Sequence, residues 1–316
     1  MYSYIANRLL YAVFVVLGVL TLVFLAMHLT PGDPVDMLIP AEGGGGGSRE
    51  LAAQLRARYG LDQPLYVQYV KYVTNAFQLD LGNSIRTGRP VLEDLKRLYP
   101  ATFELTVASL LVATILGAGA GILAALKRNG IVDNIVMTLA LMGVSLPGFL
   151  LGLLLMLVFA LQLGWLPPSG RVGGFGWDGI RHLILPATTL GVAAAAIIAR
   201  LVRSAMLDVL SEDYVRTARA KGLSERIVVL RHALKNALIP IVTVLGLEFG
   251  GLLSGAIIAE TIFAWPGLGR YLISGITGKD FPTVQGAVIA ISATFVLVNL
   301  VVDLIYTALD PRVQYQ

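Results

Sequence analysis

Few side chains in this 316-residue sequence are of a kind that does covalent chemistry. There is no cysteine, which removes thiol nucleophiles, disulfides and cysteine-ligated metals. The three histidines, His28, His182 and His232, stand far apart. No His-Glu-x-x-His pair and no Gly-x-Ser-x-Gly turn is present. The nearest approach to a phosphate-binding loop is Gly278-Lys279-Asp280, which lacks the upstream glycine and the Ser/Thr that would hold magnesium. The five glycines Gly43 to Gly47 lead into Ser48 and Arg49, not lysine. No catalytic residue, metal site or cofactor is therefore expected on this chain. If ATP and magnesium drive it, hydrolysis belongs to a partner.

What the residues do offer is charge in costly places. Glu248 falls in the middle of an apolar run, and Glu104, Glu260 and Asp303 fall near the ends of others. An acid at the bilayer centre costs about 3 kcal/mol, so it must face a cavity or a partner. Two readings of Glu248 stand together. It lines a translocation path, where it would meet a cationic group, or it makes a helix–helix hydrogen bond as the protonated acid. Glu260 and Asp303 are path candidates too, although a structural role suffices so near the interfaces. Trp165, Trp177 and Trp265 are expected as interface anchors.

The second charged feature is the stretch from Asp213 to Pro240. It carries Asp213, Arg216, Arg219, Lys221, Glu225, Arg226, Arg231 and Lys235 between two apolar runs, so it lies outside the hydrocarbon. From Glu212 to Lys221 there is no Pro or Gly, and Ala, Arg and Lys are good helix formers. Gly222 stands where a left-handed cap belongs, and Ser224 is a candidate N-cap for a second helix. A short charged helix with a fixed end, between two spans, is a docking surface or a solvated connector. Ala218 and Ala220 would permit close approach of a partner.

The elements that must hold these residues are membrane helices. Hydrophobic residues make up 56% and charged residues 14% of the chain, against about a quarter charged in a soluble domain. Six spans are expected: one from Leu9 to Leu29, one from Leu105 to Leu126, and one in the uncharged run from Asn134 to Gly170, kinked or broken at Pro147. The others run from Leu183 to Ala199, from Asn236 to Ala259 and from Val284 to Ala308. Arg8, Lys127, Arg128, seven basic residues between Arg203 and Lys235, and Arg312 share one side, which the positive-inside rule makes cytoplasmic, with both termini. The segment from Thr30 to Pro100 holds eight basic and eight acidic residues and is expected outside the cytoplasm. Within it, Glu50 to Tyr59 reads as an amphipathic helix with Leu51 and Leu55 on one face. The run Gly43 to Ser48 is a flexible loop tip or an inserted linker. Gly117, Gly119 and Gly121 form a small-residue face for close packing, within the chain or against a partner. The expected division is residues 1–100, the first helix plus an extracytoplasmic segment, and residues 101–316, a five-helix core with the charged helix at 212–223.

Ala218, Arg219, Ala220, Lys221, Gly222 and Leu223, with His232, Asn236 and Pro240 behind them, resemble the coupling loop of ABC importer permeases of the dipeptide/oligopeptide/nickel branch. The wider family carries Glu-Ala-Ala, three residues, then Gly; here Arg216, Thr217 and Ala218 fill the first three places. The runs 29–34, 59–69, 80–84, 260–269 and 303–312 resemble the same branch, and the long segment after the first span is similar to its "B"-type subunit. The resemblance implies an all-α, polytopic permease of the type I importer kind in a prokaryotic inner membrane. It implies Glu212, Asp213, Tyr214, Arg216, Thr217, Ala218, Arg219, Ala220, Lys221, Gly222 and Leu223 as the ATPase-coupling residues. It implies a second homologous permease, two cytoplasmic ABC ATPases, an extracytoplasmic solute-binding protein and surrounding lipid as partners, and no nucleic acid. The implied cargo is di- or oligopeptide, delivered near the 30–100 segment and the 263–281 loop, with nickel or another small solute as the alternative. A secondary transporter or channel acting without ATP is the reading from another class.

Overall fold

A computed structural model describes residues 2–29, 35, 46–173 and 176–309 of the chain. The expected features at Thr30–Pro34, Gly43–Gly45 and Asp310–Arg312 lie outside the described residues. The described residues are helical, with no strand and a single antiparallel bridge between Asn83 and Pro90. Contacts divide the chain into two units, Met1–Pro100 with Pro266–Val296, and Ala101–Trp265 with Leu297–Gln316.

The first unit contains α1 (Tyr2–Leu29), α2 (Gly46–Tyr59), α3 (Leu65–Phe77), the start of α4 (Val91–Leu126), α11 (Leu268–Thr277) and most of α12 (Phe281–Leu309). α1 and α3 are joined by Thr21 Oγ1 and the Tyr69 hydroxyl at 2.7 Å, and by His28 Nε2 and Gln68 Oε1 at 3.2 Å. Val91, Leu95 and Leu268 form a small core with Leu81, Tyr271 and Ile291. Asp280 ties the loop before α4 to the start of α12: its carboxylate accepts from Ser84 Oγ at 2.5 Å, from the Ile85 amide at 3.1 Å and from the Thr283 amide at 3.4 Å. Two expectations are corrected here. In α2 the buried position is Ala52, with Leu55 and Arg56 half-buried beside it, while Leu51 is exposed. The stripe follows the i, i+3, i+4 spacing from Ala52. The 263–281 stretch is not a plain loop, because α11 fills its middle and buries Leu268, Gly269, Leu272 and Gly275.

The second unit is built around α7 (Trp177–Leu210). It also holds the rest of α4, α5 (Ile131–Ser145), α6 (Gly148–Leu155) continuing as a π-helical stretch Met156–Gln162, α8 (Asp213–Ala220) and α9 (Glu225–Ile227). α9 runs through a second π-helical stretch, Val228–Ala233, into α10 (Leu234–Ile262). α7 buries an Ala-rich face: Ala194, Ala195, Ile198, Ala199, Val202 and Met206. The small side chains let α4 lie against it. A Cβ on Gly117 would fall 2.6 Å from the Ala195 carbonyl oxygen, and one on Gly121 would fall 2.6 Å from that of Ala199. Gly119 meets nothing within 4 Å. The glycine face is thus Gly117 and Gly121, four residues apart, and it packs within the chain.

Trp265 is not an interface anchor. It is fully buried with Phe263, Leu105 and Ala259, and its indole N–H donates to the Ala101 carbonyl at 2.8 Å. A buried indole needs such an acceptor. Trp165 and Trp177 are exposed, as anchors should be.

Among the described residues, four helical segments are long and apolar enough to cross a membrane: Val91–Leu126, Trp177–Leu210, Pro240–Ile262 and Phe281–Ile305. A fifth crossing requires α5 and α6 with its π extension to act together. Their break falls beside Pro147, where it was expected, but the bend is 102°. Each arm is about 22 Å long at ~1.5 Å per residue, short of a ~30 Å core alone. In α1 the apolar helix is Val13–Leu29.

Candidate functional site

α8 is two turns long, preceded by Glu212 in extended conformation. Asp213 in its first turn and Arg219 in its last both suit the helix dipole. Its end is fixed by backbone geometry. Gly222 has φ of +78°. The Gly222 amide donates to the Arg219 carbonyl at 2.9 Å and the Leu223 amide to the Ala218 carbonyl at 3.4 Å. These are the two bonds of a Schellman cap, and the left-handed residue between them is most easily glycine.

Side chains then fasten the capped helix to α9, the π-helical stretch and the start of α10. Val215, Ala218 and Val228 form a buried cluster with Val209 and Leu210. Ala218 therefore faces its own chain rather than a partner, whereas Ala220 is exposed. The Asn236 side-chain amide donates to the Tyr214 hydroxyl at 2.7 Å and to the His232 carbonyl at 3.2 Å. Across the glycine turn, Arg219 donates to both carboxylate oxygens of Glu225, at 3.1 and 2.7 Å. That bond holds the Glu225 carboxyl below its ordinary range and raises the Arg219 guanidinium; burial opposes both shifts. Both side chains are about half exposed, so water screens the pair and its net contribution is small.

The sequence alone did not disclose these fasteners. Val215, Ala218 and Val228 lie on two helices, and only their packing joins them. Arg219 and Glu225 were visible as opposite charges six residues apart, but the turn at Gly222 is what brings them face to face. The π-helical stretch Val228–Ala233 had no sequence signal; such stretches frequently mark functional sites.

The outward face of this assembly carries Glu212, Asp213, Arg216, Thr217, Ala220 and Lys221, with Tyr214 and Leu223 partly exposed beside them. Arg216 lies 3.4 Å from Asp213. A rigid, mixed-charge face with two apolar side chains is suited to gripping another protein.

The acids of the apolar runs part company. Glu260 is fully buried and accepts from Thr102 Oγ1 at 2.5 Å. Glu104 is paired with Arg171 at 2.6 Å, and the guanidinium lies 5.9 Å from the Trp265 ring. Asp303 is half-buried near the end of α12. Glu248 is also half-buried and has no hydrogen-bond or ion-pair partner among the described residues. Asp133, an acid with no sequence signal of its own, is buried and bound to Arg203 at 2.6 Å and to the Asn129 amide at 2.9 Å. Among the described residues no group of three His, Asp or Glu side chains placed to hold a metal ion is found.

The family profile described as "Binding-protein-dependent transport system inner membrane component" matches residues 117–315, and its N-terminal companion matches residues 1–106. The chain is 46% identical over 316 residues to the glutathione transport system permease protein GsiC of Salmonella paratyphi A (strain ATCC 9150 / SARB42), covering 100% of both. It is 45% identical, with the same coverage, to GsiC of Escherichia coli (strain K12). A solved structure of the MetNI methionine ABC transporter in inward-facing conformations covers 70% of this chain and 98% of its own, with a TM-score of 0.59 at 21% identity, a likeness of fold.

Proposed function

This chain belongs to the family of binding-protein-dependent transport system inner membrane components, and on that premise we propose that it couples through α8 to the importer's ATPases and carries short peptides. It is a multi-pass inner-membrane permease subunit of an ABC importer, of the dipeptide/oligopeptide/nickel branch. In the proposed assembly a second homologous permease completes the path. Two cytoplasmic ATPases supply the stroke, and an extracytoplasmic binding protein delivers the cargo. Both termini, with α8, face the cytoplasm. Glutathione, a tripeptide and the cargo named for the relatives, is the first substrate to try.

The observation that carries the coupling role is the Schellman-capped α8, fastened to the residues after it and presenting a charged outer face. Glu248 is the path residue of this proposal, because it is half-buried within a candidate span and unpartnered among the described residues. Glu260 has instead the surroundings of a helix-pinning group.

The chain has no cysteine, so a single introduced cysteine is a clean probe. Lys221→Cys should cross-link to a nucleotide-hydrolysing subunit in membranes, while Leu139→Cys, on exposed apolar surface, should not. Labelling of Lys221→Cys by an impermeant reagent from the outer side of intact cells would overturn the reading. An ATP-independent carrier would instead move substrate when the chain is reconstituted alone.

A further inference from the structure

α3 has an outer side that the coupling role does not use. Its inner side meets α1. Thr21 Oγ1 and the Tyr69 hydroxyl lie 2.7 Å apart, and His28 Nε2 and Gln68 Oε1 lie 3.2 Å apart. Phe24 packs against the rings of Tyr69 and Tyr72, with centroids 5.3 and 6.1 Å away. All these contacts come from one turn of α3, Gln68 to Tyr72, as where one helix crosses another. On α1 they span Thr21 to His28, the last two turns of its apolar helix Val13–Leu29. At ~1.5 Å per residue that step is about 10 Å, so α3 lies within about 10 Å of the end of the apolar helix. An amphipathic helix in the boundary between headgroups and acyl chains lies at a similar depth, roughly 5–10 Å.

Two observations say what covers the outer side. The first is its pattern. Tyr66, Val70, Val73 and Phe77 recur at i, i+4, i+7 and i+11, one stripe of a helix. Tyr66, Val70 and Phe77 are 56–73% exposed. Lys71, the one formal charge of α3, stands with Asn75 on the opposite side of the helix, where both are exposed and line a groove with Asp80. At the same height α1 leaves Leu22, Leu25 and Leu29 exposed, each one position on from a residue that meets α3. Tyrosine at the margin of such apolar surface is characteristic of a membrane–water interface.

The second observation is a strained and exposed leucine at the end of α3. The Leu79 amide donates to the Ala76 carbonyl at 3.1 Å, and the Asp80 amide to the Asn75 carbonyl at 2.9 Å. This is the same cap that follows α8, but its left-handed place, glycine at Gly222, is filled here by Leu79 with φ of +60°. That conformation is costly for an ordinary L-residue. The Leu79 side chain recovers little of the cost within its own unit, because it is 64% exposed.

We propose that α3 is an interfacial anchor: Tyr66, Val70, Phe77 and Leu79 sink into the acyl chains of the leaflet where α1 ends, while Lys71 and Asn75 face water. The occupant of this face is the lipid bilayer, and the anchor holds the first unit against the membrane surface. The inference stands apart from the coupling proposal, because it is read on the full chain in a bilayer with no ATPase and no cargo.

The chain has no cysteine, so a nitroxide label can be placed at one position at a time through Tyr66→Cys, Val70→Cys, Lys71→Cys, Asn75→Cys and Phe77→Cys. All five side chains are exposed, so the fold should tolerate each change. The full chain is placed in nanodiscs of phosphatidylethanolamine and phosphatidylglycerol. Relaxation of each label by oxygen, which concentrates among acyl chains, is compared with relaxation by a water-soluble nickel chelate. The oxygen-to-nickel ratio should be several-fold higher at positions 66, 70 and 77 than at 71 and 75. Leu79→Asp gives a second reading. Aspartate accepts the left-handed conformation, so the cap stays while a charge opposes insertion. In that background the ratio at Val70→Cys should fall several-fold, and Leu79→Gly, which keeps the cap and adds no charge, should lower it less. The proposal is overturned if nickel reaches the stripe as freely as it reaches positions 71 and 75, which is a face in water. Exclusion of both relaxants from the stripe, which is a face against a second copy of the chain, overturns it equally. So does a ratio at Val70→Cys that Leu79→Asp leaves unchanged.

Discussion

Gly222 offers the sharpest test of the coupling proposal, because its environment separates backbone strain from side-chain size. Its φ is +78°, and a Cβ placed there would meet nothing within 4 Å. A larger residue therefore has room, and what it lacks is an unstrained conformation. The left-handed region costs an ordinary L-residue about 1–2 kcal/mol. Asparagine visits it more readily, and β-branched residues pay most. The cap rests on two backbone hydrogen bonds, each worth about 1 kcal/mol net. The strain of alanine is thus comparable to the whole stabilisation of the cap, and a change of 1–2 kcal/mol shifts the capped fraction by roughly 5- to 30-fold.

The assay is the assembled transporter in proteoliposomes, reading uptake per ATP hydrolysed. Coupling should fall in the order Gly, Asn, Ala, Val, with Ala several-fold below Gly. The ranking of Asn above Ala is the decisive part, since Asn is the larger. If coupling instead follows side-chain volume, with Ala above Asn, the cause lies in a tight docking groove. If all four couple equally, the fixed end of α8 plays no part in transmission.

Three further outcomes follow from the geometry. Gly121→Val drives a side chain against the Ala199 carbonyl and Val202, and should destabilise the chain by about 1–3 kcal/mol, seen as a lower unfolding temperature in detergent, while Gly119→Ala should be neutral or better. Glu248→Gln should leave assembly intact and change the rate of peptide uptake; uptake identical to the parent for peptides with and without a free amino group would remove Glu248 from the path. The Glu225 carboxyl titrates below its ordinary value of 4.5, so its contribution to holding α8 is complete above that value in the unfolded chain and is lost as pH falls through the lowered one. The protection of the α8 amides, corrected for the intrinsic slowing of exchange in acid, should therefore fall at acid pH in the parent but not in Arg219→Ala, and raised salt should narrow the difference.

α8 and its glycine stop were legible because they are local events. Helix propensity over Glu212–Lys221 and the left-handed requirement at Gly222 act within a few residues, so composition and order are enough. Burial was less legible, since it is settled by residues far away in the chain. Trp265 sits in a segment that reads like a membrane boundary, yet Ala101, 164 residues earlier, supplies its acceptor. Glu260 has the sequence of a span-end acid and the surroundings of a buried one, because Thr102 reaches it from α4. The three alternate glycines of α4 looked equivalent, but a helix presents only positions four apart to one neighbour, which selects Gly117 and Gly121. α11 did leave a trace in its spacing of Leu268, Leu272 and Gly275, hidden by the glycines and prolines on either side.

Under the coupling proposal, a displaced α8 has a definite route inward. Its buried face rests on Val209 and Leu210, at the end of α7, and on Val228, the first residue of the π-helical stretch. Val229, Ala233 and Ala237 continue that contact into a core cluster that also contains Val202 and Met206 of α7. These are small or branched side chains in close packing, and such cores have little room to absorb a shift. The Arg219–Glu225 clamp and the Tyr214–Asn236 bond keep α8 and the start of α10 from moving separately. Glu248 lies on α10, 11 residues beyond Ala237, or about 16 Å along a helix at ~1.5 Å per residue. One helix thus carries both the contact that would receive the stroke and the acid proposed for the path. Inserting one alanine between Ala237 and Leu238, in the regular helix beyond these contacts, should rotate the rest of α10 by about 100° relative to α8 and abolish uptake while the chain still reaches the membrane. Normal uptake by that insertion variant would show that the register between α8 and α10 carries no signal.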